Sequence, residues 1–186
     1  MFKSQLRATV VGVALLFGLG TAQAAPTTAL WLAMDGSGSI SGADHTTQVS
    51  GYVSALNTFF TNNPTAYGQV AIGGNIFGFD LFQFSPLTII TDSTVLGTLT
   101  TAIAALDPGR GGIDTSATSI GNAIVAGTTA LTAFQTLNQT VTRMLIDVTT
   151  DGANNNGVNP TTASSDAITA GVTSVNCLSF SGGNCN

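Results

Sequence analysis

Apolar and polar positions along the chain fall into two kinds of run. Residues 28–34 (TALWLAM) form an unbroken apolar stretch ending at Asp35 and a Gly/Ser cluster. That pattern predicts a buried strand followed by a loop. Between residues 45 and 60, Val49, Tyr52, Val53, Leu56, Phe59 and Phe60 recur at helical spacing. Asp44 is placed to cap this helix, and Asn62-Asn63-Pro64 to end it. Residues 69–84 are apolar and glycine-rich, predicting one strand and then another around Gly73, Gly74 and Gly78; residues 87–90 are a further β-like stretch. Val95, Leu96, Leu99, Ile103 and Leu106 mark a second helix, terminated by Asp107-Pro108-Gly109, and residues 110–117 read as a glycine-containing loop. Ile120, Ala123, Ile124, Gly127, Leu131 and Phe134 mark a third helix. Residues 141–148 (VTRMLIDV) predict a strong strand, 149–159 a loop, 161–170 a weaker helix and 172–180 a last strand.

Strands that alternate with helices need crossover connections. The expected fold class is therefore α/β, a doubly wound, mostly parallel central sheet with helices on both faces. Ligands of such sheets sit beyond the carboxyl ends of the strands, near a topological switch point. Function is thus expected in the loops after Met34 and after Val148. No internal repeat or Pro/Ser-rich linker divides the chain, and 186 residues suit one domain.

Composition narrows the classes. Hydrophobic residues make up 44% and charged residues 7%, against a usual charged share of about 25%, which excludes a disordered chain. Four Lys+Arg against nine acids, all of them Asp, give −5. Without a basic patch, no nucleic-acid partner is expected. Lys3 and Arg7 precede an uncharged, mostly apolar run over residues 8–20, and Ala22-Gln23-Ala24 has the small-x-small form of a cleavage site. These predict a signal peptide over residues 1–24 and a single domain over 25–186. The run is too short for a membrane span, which needs about 20 residues. No second long apolar run follows, so no span is expected after cleavage. The remaining domain keeps two cations, Arg110 and Arg143, against nine Asp, a net charge of −7. In an oxidising compartment Cys177 and Cys185, the only cysteines, are expected to form a small-loop disulfide. A structural zinc site wants four ligands, and His45 is the only histidine.

The loop after the first strand reads Asp35-Gly36-Ser37-Gly38-Ser39. Oxygen side chains at every second position, with glycines between, can converge on one small cation; Mg²⁺ takes six oxygens and usually keeps several waters. Asp151-Gly152 follows the strong strand, and Thr118 brings a hydroxyl to the same rim. At these residues the chain resembles the metal-ion-dependent adhesion site (MIDAS) of von Willebrand factor type A (VWA) domains. Thr118-Ser-Ile-Gly-Asn-Ala-Ile matches that family's Thr-x-x-x-x-Ala-Ile helix start, with Thr115 as the rival. Asp151, in Leu145-Ile-Asp-Val-Thr-Thr-Asp-Gly, fits the family's Asp after the next buried strand. This stretch, with the leader, is similar to exported bacterial VWA-like proteins of unassigned function. The resemblance spans residue 28 to about residue 180 and implies a VWA/Rossmann-like fold. It implies Mg²⁺ or Mn²⁺ ligated by the hydroxyls of Ser37, Ser39 and Thr118, with Asp35 and Asp151 acting largely through bound water. An open coordination position would then favour a carboxylate of a protein or matrix ligand, in the periplasm or outside the cell. Members of the VWA family usually continue past the fifth strand, whereas this chain stops at Asn186; either a trimmed domain or an incomplete sequence is expected.

Plainer readings compete with these. Asp35-Ser37-Ser39 reads also as a Gly/Ser turn, Asp151-Gly152 as turn chemistry, and Thr118 as a helix cap. Asp147, inside the strong strand, is expected to be hydrogen-bonded to neighbouring loops, and Asp114 to be solvated. An EF-hand at 151–157 fails, because Ala153 takes the third position and no Gly falls at the sixth. The leading function is a metal-dependent binding or adhesion module, not an enzyme. An Mg²⁺-dependent phosphatase or hydrolase is the alternative. Against a phosphotransferase, position 37 holds Ser where a second Asp is needed, and no Lys follows the leader. Against a Ser/His hydrolase, no Gly-x-Ser-x-Gly elbow is present. A structural envelope protein with a vestigial site is the third reading.

Overall fold

In chain order the elements are β1 (Thr28–Asp35), α1 (Gly42–Asn62), β2 (Val70–Phe77), β3 (Leu81–Ile89), α2 (Ser93–Ala104), α3 (Ile120–Leu137), β4 (Arg143–Thr150), α4 (Pro160–Thr169) and β5 (Ser174–Ser179). They belong to a computed structural model that describes residues 25–180. The expected leader (1–24) and Cys185 of the expected disulfide lie outside the described residues. The five strands form one sheet in the order β3-β2-β1-β4-β5. Every pairing is parallel except the β2–β3 hairpin. This is the expected α/β class, a mostly parallel sheet with helices on both faces.

Strand alternation sorts the core into two layers. On β1, Ala29, Trp31 and Ala33 join Met144, Ile146 and Val148 of β4 beneath α3 and α4. The intervening Leu32 and Met34 pack with Val49, Leu56 and Phe60 of α1 and with Leu96, Leu99 and Ile103 of α2. The predicted stripes of α2 and α3 are therefore real apolar faces. By the same alternation Asp35 and Thr150 continue the α3 side of the sheet, whereas Asp147 and Thr149 face α1.

Four details depart from the sequence reading. Helix α1 starts earlier than expected, at Gly42, and its cap is Ser41 rather than Asp44. Ser41 Oγ accepts from Asp44 N at 3.1 Å and donates to the Asp44 carboxylate at 2.7 Å. Asp44 is thus the first-turn partner of a capping pair, favourably placed at the positive helix end. Phe59, counted in the apolar stripe, is 45% exposed and leans edge-on against buried Phe60. The second strand expected within residues 69–84 and the separate stretch 87–90 merge into one strand, β3, because a register shift lets the chain pass Pro86 on an edge strand. Finally, β4 runs two residues beyond Val148, which brings Thr150 into the sheet.

Glycine at α3 is a packing requirement. A Cβ on Gly127 would lie 2.6 Å from Cδ1 of the buried Trp31 indole. Gly97 of α2 faces open space, with nothing within 4 Å. Both substitutions to Ala gain about 1 kcal/mol of helix propensity, but only one overpacks a rigid ring. Gly97→Ala is expected to raise the urea midpoint and Gly127→Ala to lower it; equal shifts would contradict the packing described here.

Candidate metal centre

The order of the strands reverses at β1, so a crevice opens between the carboxyl ends of β1 and β4. Asp35 ends β1 at the floor of this crevice, with no exposed surface. Both of its oxygens are held. Oδ1 accepts from the main-chain N–H of Ser37 at 2.7 Å, and Oδ2 accepts from the Thr150 hydroxyl at 2.6 Å. Burial pushes the Asp35 carboxyl above its usual range; the hydrogen bonds from Thr150 and Ser37 oppose that shift, and the nearby charge of Asp151 adds to it. A divalent cation beside the two carboxylates would relieve both the burial and the repulsion.

The turn after Asp35 carries the hydroxyls. Ser37 Oγ and Ser39 Oγ lie 3.0 Å apart. Two adjacent oxygens on an octahedron with metal–oxygen distances of 2.0–2.1 Å are about 2.9 Å apart, so this pair already has the spacing of neighbouring ligands. Ser39 Oγ also donates to Asp151 Oδ1 at 2.7 Å. A hydroxyl has one proton and two lone pairs, so Ser39 can keep that bond and still offer a lone pair to a cation. Gly38 lies against the next loop: its N–H donates to Thr115 O at 2.7 Å, and a Cβ there would meet that carbonyl at 3.0 Å. The glycines between the oxygen-bearing residues therefore let the backbones approach.

Thr118 arrives from a third segment. It is buried, and it precedes the cap position of α3, which Ser119 occupies without a capping side-chain bond. The plain reading of Thr118 as a helix cap is therefore set aside. A Cβ placed on Gly152 would lie 3.5 Å from Ser39 Oγ and 3.8 Å from Thr118 Oγ1. Both hydroxyls thus border one small space over Gly152. The rival Thr115 contacts the turn through its main-chain carbonyl, beside Gly38. All five expected residues, Asp35, Ser37, Ser39, Thr118 and Asp151, are gathered at one crevice from three distant segments. Among the described residues, no three His, Cys, Asp or Glu side chains cluster to hold a metal. The donor set that the crevice does offer, two carboxylates and three neutral hydroxyls, fits a small hard cation.

Several positioning residues were not read from the sequence. Thr150 holds Asp35, as described. Asn154, Asn155 and Asn156 tie the loop after β4 to the start of α3. Asn155 Oδ1 accepts from Thr118 N at 2.8 Å, and Asn155 N donates to Thr118 O at 3.0 Å, clamping Thr118 from both sides of its peptide. Asn154 Oδ1 accepts from Gly121 N at 3.2 Å, and Asn156 Nδ2 donates to Ser119 Oγ at 2.8 Å. The run of three amides after Asp-Gly was the available signal.

Other acids stand apart. Asp147 accepts from the Tyr52 hydroxyl of α1 at 3.0 Å, not from a loop as expected. Burial pushes its carboxyl up, with that bond opposing. Burial and then the charge of Asp147 push the Tyr52 phenol up, so Tyr52 remains a neutral donor. The pair borders a groove of about 420 Å³ between α1 and the β4–β5 face, on the side of the sheet away from α3. Asp114 is exposed, as expected; hydrogen bonds from Ser116 pull its carboxyl down. His45 is buried, with Nε2 3.1 Å from Leu106 O, and so is part of the core.

Residues 24–185 match the family described as Protein of unknown function (DUF1194). The chain belongs to this family. No curated protein matches the sequence. Among solved structures, proximal thread matrix protein 1 from the mussel byssus is similar over 87% of this chain and 40% of its own, with TM-score 0.68 and 17% identity. A second structure of that protein, with a zinc-occupied MIDAS motif, is similar over 83% of this chain and 38% of its own, with TM-score 0.64 and 18% identity. BatB from Bacteroides thetaiotaomicron is similar over 82% of this chain and 66% of its own, with TM-score 0.60 and 21% identity. The pilus adhesin SpaC from Lactobacillus rhamnosus GG is similar over 69% of this chain and 15% of its own, with TM-score 0.53 and 17% identity. This chain thus spans less than two thirds of these proteins, and the shared feature is a VWA-like fold.

The Thr150–Asp35 bond is the most exposed to test. Thr150→Val keeps the shape but leaves a buried carboxylate oxygen without its donor. A hydrogen bond to a charged group contributes about 1.5–3 kcal/mol, so urea unfolding in EDTA should show a loss of that size. An unchanged midpoint would mean that Thr150 does not hold Asp35.

Proposed function

We propose that this protein is an exported VWA-type binding module that holds Mg²⁺ or Mn²⁺ between the ends of β1 and β4 and uses it to engage a carboxylate of a protein or matrix ligand. The observation that carries this reading is the convergence of the Ser37, Ser39 and Thr118 hydroxyls with Asp35 and Asp151 at the switch point. In this reading the three hydroxyls ligate the ion, and the two carboxylates act largely through bound water. Neutral hydroxyls donate little charge, so the ion stays electrophilic and its open position attracts an acidic side chain. A zinc-occupied MIDAS motif in a structurally similar mussel matrix protein supports a divalent ion here, and the likeness to a pilus adhesin supports a protein partner.

Binding rather than catalysis is the better match to the residues. Position 37 carries Ser where an aspartyl phosphotransferase needs a second acid, and His45 is in the core. The leader argues for export to the periplasm or beyond, with Cys177 and Cys185 bridged there. Among the described residues, no helix is long and apolar enough to cross a membrane.

A ligand that binds only the folded state stabilises it by RT ln(1 + [L]/Kd), about 2.7 kcal/mol at a hundredfold excess over Kd. For a domain of this size the melting temperature should rise on the order of 5–10 °C in saturating Mg²⁺ or Mn²⁺ relative to EDTA. Asp35→Ala and Ser39→Ala should each lose most of that rise. A wild type indifferent to both ions, or an Asp35→Ala variant that shifts as far as wild type, would overturn the proposal.

A further inference from the structure

The turn that carries Ser37 and Ser39 is held from behind by a single side chain. Arg110 sits in a short turn after α2 with φ 51°, a left-handed conformation for a non-glycine residue. Its guanidinium donates through Nη1 to Gly36 O at 3.0 Å and to Ser37 O at 2.5 Å, and through Nη2 to Ile40 O at 2.5 Å. Thus one of the two cations that follow the leader is directed at three main-chain carbonyls of the Asp35–Ile40 turn.

The amides of the same turn have partners of their own, two of them within the turn. Gly36 N donates to Phe77 O, Ser37 N to Asp35 Oδ1, Gly38 N to Thr115 O and Ile40 N to Ser37 O. A carbonyl shares its rigid peptide plane with the next residue's amide, so Arg110 holds the 36–37 and 37–38 planes at the carbonyl end while Asp35 Oδ1 and Thr115 O hold them at the amide end, and it also holds the carbonyl of Ile40. If a plane rotated, the hydroxyl of Ser37 or Ser39 would swing with it, and the 3.0 Å spacing between them would be lost. Arginine suits this task because its five N–H donors lie in a rigid planar fork. A lysine ammonium carries the same charge on a single flexible point and cannot span carbonyls of residues 36, 37 and 40 in one fixed geometry.

We propose that Arg110 is a positioning residue for the metal centre: its guanidinium fixes the Gly36–Ile40 backbone so that the Ser37 and Ser39 hydroxyls stand ready as neighbouring ligands. This inference rests on the metal-site reading above. The contribution is geometric, since a positive charge behind the turn repels a cation and cannot by itself raise affinity. Arg110→Lys therefore separates fork from charge. Gly127→Ala is the control for lost stability, since its Cβ would press on Trp31 in the core beneath α3 and not on the turn.

The test is calorimetric titration of Mn²⁺ into wild type, Arg110→Lys and Gly127→Ala, at a temperature where near-ultraviolet circular dichroism shows all three folded. Amide hydrogen exchange at Gly38 and Ile40 is followed in EDTA. Arg110→Lys is expected to bind Mn²⁺ at least tenfold more weakly than wild type and to exchange the turn amides at least tenfold faster, with the β1 amides unchanged. Gly127→Ala is expected to bind Mn²⁺ as wild type does. Wild-type affinity in Arg110→Lys, or an equal loss in Gly127→Ala, overturns this proposal while leaving the metal site standing. A wild type that binds no Mn²⁺ overturns the metal-site reading, and the role of Arg110 with it.

Discussion

A carboxylate with no exposed surface ends the central strand, and the arrangement of the crevice follows from keeping it there. Burial of an ionised carboxylate costs several kcal/mol unless it is hydrogen-bonded or balanced by charge. Asp35 meets part of that cost with the Ser37 amide and the Thr150 hydroxyl. Both partners lie where the sheet order reverses, so satisfying Asp35 also fixes the turn after β1 against the end of β4. Asp151 follows Thr150 directly and lies close enough to raise the Asp35 carboxyl further. The result is two acidic groups and three hydroxyls around one space, an arrangement that a divalent cation would stabilise.

Supports outside the ligand set keep this arrangement in place. The asparagines at 154–156 fasten the start of α3 to the loop after β4, which sets the position of Thr118. Arg110 fastens the carbonyl side of the turn that carries Ser37 and Ser39. The asparagines and Arg110 come from different loops; Arg110, Asn154 and Asn155 act on main-chain atoms, and Asn156 on the Ser119 hydroxyl. A site assembled from rigid supports loses little conformational freedom on binding an ion.

The sheet and its helices were readable in the sequence because their apolar faces repeat at the periods of strand and helix. The α2 and α3 stripes and the β1 run needed nothing beyond that. Asp35, Ser37, Ser39, Thr118 and Asp151 were readable through a family pattern, not through spacing alone. The supports were not readable, for a physical reason. Thr150, Asn155 and Arg110 act across 115, 37 and about 70 residues of chain, and a polar residue in a loop looks the same whether it holds a distant carbonyl or faces water. The capping pair of Ser41 and Asp44 was misread by three residues because either side chain can cap a helix.

The most direct measurement is the anomalous scattering of manganese in crystals of the protein grown with Mn²⁺. One strong peak is expected between the ends of β1 and β4, about 2.1–2.3 Å from the oxygens of Ser37, Ser39 and Thr118, with waters bridging to Asp35 and Asp151. No peak at saturating Mn²⁺, or a peak held instead by Asp107, Asp114 or Asp147, would contradict the metal centre described here.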